Sequence, residues 1–301
     1  HTVLSGTYSH EASFVLDGVE HGVSSTPMPW DIAGIQHLYG ANQSTNSGDT
    51  VYTFDNTAPF YKTLWDADGN DTIDLQNFSK SLAVDLRSGN LSTLSFDVND
   101  STWAEKQHGN LGIAFECIIE NVHLGTGDDY VKANRKSNTL RGGIGNDILI
   151  GLRGSDYIYG GSGDDLIRGG NDGDYITGGE GADQLFGGFG HNIFASENDS
   201  STDHLYFKSD QYAENWFYGK AGNNPNGKKV DIIKGLDSFD QIYVQGVETS
   251  VLSFSQLDNF STPTGNYSGI GIFANEYLEG LYTGGDLTLL QIQSITQGIE
   301  N

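Results

Sequence analysis

Eight units of nine residues follow one another without a gap from Leu124 to Ala195, each a version of Gly-Gly-x-Gly-x-Asp-x-apolar-x. They read LGTGDDYVK, ANRKSNTLR, GGIGNDILI, GLRGSDYIY, GGSGDDLIR, GGNDGDYIT, GGEGADQLF and GGFGHNIFA. In each unit the glycine-rich half suits a tight turn with positive φ, and the x-apolar-x half suits one short strand. The eighth positions are Val131, Leu140, Leu149, Ile158, Ile167, Ile176, Leu185 and Phe194, all apolar. A flexible Gly/Asp linker has no reason to hold eight apolar residues in register, so the repeat encodes a stacked core.

Two units make one coil of eighteen residues, and successive coils stack as parallel strands about 4.8 Å apart. Sixth-position residues then line up along two edges. Asp129, Asp147, Asp165 and Asp183 run down one, and Asn138, Asp156, Asp174 and Asn192 down the other. At an effective dielectric near 20, one pair of like charges at that spacing repels by roughly 3 to 4 kcal/mol. Several such pairs match the whole stability of a typical domain, so the ladder calls for cations. Calcium takes six to eight hard oxygens at flexible geometry. Turn carbonyls at Gly142, Gly145, Gly151, Gly154, Gly160, Gly163, Gly169, Gly178 and Gly181 stand beside the carboxylates to supply them. Zinc would want Cys and His, which the repeating positions do not supply. The pattern predicts an all-β chain built on a right-handed parallel β-roll, with flanking β segments and one short N-terminal helix.

Charge points the same way. Fifteen Lys+Arg against forty Asp+Glu give −25, which excludes a general binder of nucleic acid or anionic membrane and fits a chain that meets its counterions as bound divalent metal. The single cysteine, Cys117, lies in an apolar stretch and reads as a buried thiol, leaving calcium rather than disulfides to staple the fold. No run of eighteen apolar residues and no basic-then-apolar leader is visible, so neither a membrane span nor a classical signal peptide is expected. Sites of this kind fill at extracellular calcium and empty at cytosolic levels, which predicts export of an unfolded chain that folds outside. Val251 to Asn301 holds no Lys or Arg.

Before the repeats, PMPWDIAGIQHLY (residues 27–39) carries apolar residues at helical spacing between entering prolines and Gly40, which predicts a short helix. STNSGDT (44–50) and WDADGNDTIDL (65–75) are turn-rich, and the second crowds Asp66, Asp68, Asp71 and Asp74 around Gly69 as a cation loop. Residues 73–97 and 111–123 read as strands. After the repeats, 197–229 reads as a long exposed loop, and strands return at 230–233, 241–244, 251–254, 269–274 and 276–282. Asp286 is placed to cap a last short helix through Leu289 and Ile292. These flanks are expected to cap the open ends of the roll.

PMPWDIAGIQHLYGAN, STNSGDTVYTF, WDADGNDTIDL and the nonapeptides, in that order, resemble the C-terminal half of serralysin-like secreted metalloproteases. The resemblance implies that the two loops form a calcium site from backbone oxygens of Asn46, Gly48 and Thr50 with Asp66, Asp68 and Asp71; Asp68 stands where that family commonly has glycine. It also implies a four-part chain: a protease-like remnant with the helix at 1–43, a β segment with the loop pair at 44–123, the roll at 124–195, and a β cap with a type I secretion signal region at 196–301. The implied location is extracellular or cell-surface, in a Gram-negative-type bacterium. Residues 269–288 look instead like tails of other repeat-in-toxin proteins.

The zinc half does not carry over. His10-Glu11 is followed by Ala12, Ser13 and Phe14, so the second histidine of His-Glu-x-x-His is missing, and HTVLSGTYS resembles the turn beneath that zinc with Leu4 and Gly6 at two key places. No catalytic residues are expected on this chain, and three functions stand. The first is a non-catalytic, calcium-folded secretion module and extracellular scaffold. The second is the C-terminal piece of a larger zinc protease. The third is a binding module for a polysaccharide or for copies of itself, using an outward face that bears Tyr157, Tyr159 and Tyr175. The opposite outward face, with Ile148, Ile150, Leu166 and Phe186, calls for a cover from the flanking segments.

Overall fold

The computed structural model describes residues 13–16, 19–22, 26–97, 108–195, 199–208, 230–275 and 277–300. The zinc-turn resemblance at 1–9, the His10-Glu11 pair, and Trp216 with KAGNNPNGKK all lie outside the described residues. The chain forms two compact units, residues 1–135 with 139–144 and residues 136–138 with 145–301.

In the first unit, Ser13–Leu16 and Val19–Gly22 form a small antiparallel pair. Helix α1, Pro29–Tyr39, follows with proline at its start and Gly40 beyond its end. Pro29 is buried, and the Trp30 ring lies 4.6 Å from that of Phe115. Parallel stacking begins well before the nonapeptides: Val51–Thr53, Thr72–Asp74, Asn121–His123 and Thr139–Ile144 are neighbours in one sheet. Ala83–Asp85 pairs in parallel with Tyr130–Lys132. Lys62–Leu64, Leu111–Ile113 and Leu91–Ser92 make a separate three-stranded sheet.

In the second unit the eighteen-residue stacking is explicit. Leu149 pairs with Ile167, Ile167 with Leu185, and on the facing sheet Ile158 pairs with Ile176 and Ile176 with Phe194. All eight eighth-position side chains are fully buried. The second-position glycines hold positive φ, as at Gly161 (129°), Gly170 (124°) and Gly179 (110°), and here a Cβ would strike backbone: on Gly179 it would lie 1.9 Å from Gly161 O. Leu152 holds the same position at φ 79°.

The flanks do more than cap. His204–Lys208, inside the segment expected to be loop, is a parallel strand beside Gln184–Phe189, and Gln241–Gln245 and Thr296–Ile299 continue that sheet in order. The sequence misses it because the strand arrives after an irregular spacer rather than on the nine-residue beat. Asp231–Lys234 and Tyr277–Tyr282 extend the facing sheet in parallel, and the antiparallel hairpin of Leu252–Thr262 and Gly265–Ala274 completes it. Leu257, Phe260 and Tyr267 of this hairpin pack with Ile193, Ile232 and Leu281. The hairpin thus extends the sheet that also carries the tyrosines and packs at its Ile193–Leu281 end, while Ile148 on the other sheet stays 37% exposed. The last helix, α2 (Leu289–Ile295), is capped by Thr288 and not by Asp286: the Thr288 hydroxyl accepts from Gln291 N–H, and the Gln291 side chain returns to Thr288 N–H. A hydroxyl one residue before the first helical turn reaches that donor, and Asp286 stands too far upstream.

Candidate metal centre

The ladder has a direction. Five sixth-position side chains accept, through Oδ1, the backbone N–H of the sixth-position residue one coil earlier. Asp156 accepts from Asn138 (2.8 Å), Asp174 from Asp156 (2.9 Å) and Asn192 from Asp174 (3.1 Å). On the other edge, Asp165 accepts from Asp147 (2.7 Å) and Asp183 from Asp165 (2.8 Å). In the first unit Asp129 accepts from Leu82 N–H (2.7 Å), and Asp71 from Thr50 N–H (2.9 Å).

The second oxygen is the informative one. Oδ2 of Asp156, Asp165, Asp174 and Asp183 is buried and receives no hydrogen bond. Each points beneath the first-position glycine of its own nonapeptide. A Cβ on Gly160 would lie 2.1 Å from Asp165 Oδ2 and 2.4 Å from Gly178 O; on Gly151, 2.3 Å from Asp156 Oδ2 and 2.6 Å from Gly169 O; on Gly169, 2.3 Å from Asp174 Oδ2 and 2.8 Å from Gly187 O. A carboxylate oxygen and a carbonyl from the next coil thus converge under an absent side chain. On Gly178 a Cβ would meet Asp183 Oδ2 at 1.8 Å. The fourth-position glycines serve stacking: Gly145, Gly154, Gly163 and Gly181 all have φ between 104° and 129°, and a Cβ on Gly163 would lie 2.3 Å from Gly145 O. Gly142 is buried at the head of the third unit.

Burial, then neighbouring carboxylates, push these groups up against the pull of the backbone donor: Asp165 and Asp174 to about 8, Asp156 and Asp183 to about 7. Carboxylates this far from water need a counter-charge to ionise near neutral pH. Among the described residues no three His, Cys, Asp or Glu side chains converge. The donors on offer are one carboxylate and backbone carbonyls per turn, an all-oxygen set that suits calcium and not zinc.

Two sixth positions carry asparagine. Asn192 gives Oδ1 to Asp174 N–H, which leaves Nδ2 facing the cradle; a Cβ on Gly187 would meet that Nδ2 at 2.6 Å and the Phe194 ring at 2.8 Å, where the other cradles offer oxygens. That Nδ2 is buried and has no hydrogen-bond partner, so this turn presents an amide N–H where the other cradles present a carboxylate oxygen. In the glycine-poor second nonapeptide, Asn134 donates Nδ2 to Ile119 O (2.8 Å) and Leu86 O (3.4 Å). Asn138 is buried and supplies its backbone N–H to Asp156.

The two loops of the first unit come together. Ala67 N–H donates to Thr45 O (3.1 Å), Asn70 N–H to Asp49 Oδ1 (2.9 Å), and a Cβ on Gly69 would lie 2.8 Å from Gly48 O and 2.9 Å from Asp71 Oδ1. Asp66 and Asp71 are buried, and burial pushes Asp71 up to about 6 against the Thr50 N–H, with Asp66 adding to the rise. Asn46 holds φ 51° on the first loop. Asp68 accepts from Gly69 N–H at the exposed rim. Tyr157, Tyr159 and Tyr175 lie on the outer face with ring centroids 5.9 and 6.1 Å apart for Tyr157–Tyr175 and Tyr159–Tyr175, and Tyr157 is 53% exposed.

Four ladder members escape the sequence pattern. Asp203 accepts from Asp183 N–H (3.0 Å), Asp231 from Asn192 N–H (2.8 Å), Asp240 from Asp203 N–H (3.0 Å), and Glu120 from Asp71 N–H (2.9 Å). Each opens an acid-x-apolar triplet, as in Asp203-His204-Leu205 and Asp240-Gln241-Ile242, which is the local signal that could have found them.

A family model described as the RTX calcium-binding nonapeptide repeat (4 copies) matches residues 123–158 and 159–194. Serralysin of Proteus mirabilis is 37% identical over 152 residues, 46% of this chain and 28% of that protein. Metalloprotease AprA of Pseudomonas entomophila is 38% identical over 141 residues, 43% of this chain and 27% of that protein. Serralysin G of Dickeya chrysanthemi is 39% identical over 124 residues, 37% and 24%. The match therefore spans about a quarter of these relatives' length. No helix of the described residues is long and apolar enough to cross a membrane. The chain carries calcium-binding RTX repeats and is homologous, over part of its length, to the serralysins, in keeping with their C-terminal region.

Proposed function

We propose that this chain is a non-catalytic calcium module of an exported protein, which folds on meeting calcium outside the cell and serves there as secretion module and scaffold. The observation that carries this reading is the row of buried, donorless Oδ2 atoms of Asp156, Asp165, Asp174 and Asp183, the first three of which converge with a glycine carbonyl of the next coil. Asp129, Asp147, Asp156, Asp165, Asp174 and Asp183 with the turn carbonyls of the first- and fourth-position glycines would hold the ions, and Asp66 and Asp71 with Gly48 O another. Calcium supplies the positive charge that lets the buried carboxylates ionise, so its binding energy becomes folding energy. Circular dichroism during a calcium titration of EDTA-treated protein tests this. A cooperative gain of β signal with calcium and none with magnesium is expected; a signal unmoved by calcium sinks the reading.

One observation favours placing the module within a larger serralysin-like protease. Helix α1 leaves the large side chains Trp30 (76%), Leu38 (73%) and Tyr39 (85%) exposed, apolar surface available to another folded body. Chelator-sensitive casein hydrolysis by the natural secreted product would support it, and a product with no such activity would count against it.

A further inference from the structure

The apolar row of the first unit contains one residue that is more than apolar. Tyr52 pairs with Ile73, Ile73 with Val122, and Val122 with Leu140, so Tyr52 holds the inward slot that aliphatic side chains fill in the coils after it. Packing alone would be met by Phe or Leu. Its hydroxyl instead reaches out of the row to the two paired loops. It accepts from Asn46 Nδ2 (3.0 Å) on the first loop and donates to Asp66 Oδ2 (2.6 Å) on the second. Asp66 Oδ1 in turn accepts from Asp68 N–H (3.2 Å), so both oxygens of this buried carboxylate are oriented.

We propose that Tyr52 is a positioning residue for the loop-pair calcium site: one hydroxyl ties Asn46 to Asp66, fixing the separation of the two loops and the direction of the Asp66 lone pairs left for the ion. This deepens the reading of that loop pair as a cation site and rests on it. The hydroxyl need not touch the ion. It sets the geometry of a ligand, and groups in that role commonly change metal affinity by roughly 10- to 100-fold when removed. Tyr52 also joins the site to the stacked core, because the ring lies in the row and the hydroxyl in the loops.

Calcium titration calorimetry on the whole chain tests this with wild type, Asp71→Asn, Tyr52→Phe and Asn46→Gly; glycine tolerates the positive φ at position 46. Asp71→Asn is expected to bind fewer ions than wild type. Tyr52→Phe is expected to bind as many as wild type, with the ion class that Asp71→Asn removes weakened about tenfold or more and the remaining classes unchanged. Asn46→Gly should weaken the same class by a smaller factor. A tyrosine ultraviolet difference signal should accompany filling of that class in wild type and be absent in Tyr52→Phe. The proposal is overturned if Tyr52→Phe binds like wild type while Asp71→Asn has lost an ion. It is overturned as well if Tyr52→Phe lowers the melting temperature equally in EDTA and in calcium with no change in affinity. If Asp71→Asn keeps every ion, the loop-pair reading itself fails.

Discussion

The nonapeptide coils and the coils that follow them share one ladder and close it differently. In both, the acid of each coil accepts the backbone N–H of the coil before it, and inward side chains stack in register. In the nonapeptides the second carboxylate oxygen lies bare beneath a glycine. At Asp240 in the later coils the polypeptide reaches that oxygen: Asp240 takes Asp203 N–H on Oδ1 and Asp237 N–H on Oδ2 (2.8 Å). Large side chains such as Phe207 and Tyr282 are fully buried there. Glycine at the first position therefore does more than permit a turn, because it keeps open a space that must then be filled by something other than protein.

The largest expected break in this comparison comes from Asp165→Ala set against Asp240→Asn. In calcium, Asp165→Ala should cost about 3 kcal/mol or more, since it strands the Asp147 N–H and removes an ion ligand, and it should lower the cooperativity of calcium binding. In EDTA most of that cost should vanish. Asp240→Asn should cost about 1 to 3 kcal/mol with or without calcium, because its partners are backbone. Urea unfolding in both conditions checks the pair, and equal calcium dependence of the two would erase the distinction.

Next in size is Gly160→Ala, whose methyl would enter the cradle against Asp165 Oδ2 and Gly178 O. Loss of bound calcium by equilibrium dialysis is expected, together with a fall of about 2 kcal/mol or more. Gly285→Ala, where a Cβ meets nothing within 4 Å, should stay within about 0.5 kcal/mol.

Acid should blur the two regions. In the closed roll Asp165 and Asp174 lie near 8, and Asp156 and Asp183 near 7, against an ordinary 3.8. A carboxyl raised on folding takes up a proton, so the calcium-free roll has its full share of this stability below about pH 4 and loses it as pH rises through 7 to 8. Calcium must displace those protons, so its midpoint should fall by roughly tenfold or more between about pH 6 and about pH 8. Calcium titrations at several pH values decide this, and a midpoint that ignores pH would refute it.

The smallest effect is expected at Leu152, a branched residue at φ 79° where neighbouring coils have glycine. Leu152→Gly should stabilise the calcium-loaded protein by up to about 1 kcal/mol in urea unfolding. A loss there would mean that its side chain packs more than its backbone strains.

The parts of the fold that the sequence displays are those governed by a strict period. Leu149, Ile158 and Ile167 fall in the buried row because nine-residue spacing leaves no other register. The later coils are hidden because their acids arrive after 20, 37 and 39 residues, and a period cannot be seen across such spacers. Only the triplet Asp-x-apolar survives to mark Asp203, Asp231 and Asp240. Asn192 shows a different limit. Its residue type fits a ligand position, but the atom that enters the cradle depends on which end of the amide the Asp174 N–H claims. Tyr52 reads as one more aromatic strand residue until the two loops are seen around its hydroxyl.

The central claim is that cations, and not polypeptide, close the nonapeptide coils. Residue-resolved hydrogen exchange, in EDTA, in calcium and in magnesium, tests it most directly. Calcium alone should slow exchange strongly at Leu166, Tyr175 and Gln184, whose amides donate to Asp147, Asp156 and Asp165 carbonyls, and should change Ile242 to Val244 much less. Equal protection of Leu166, Tyr175 and Gln184 in EDTA and in calcium would show that the coils close without the ion, and would contradict the account.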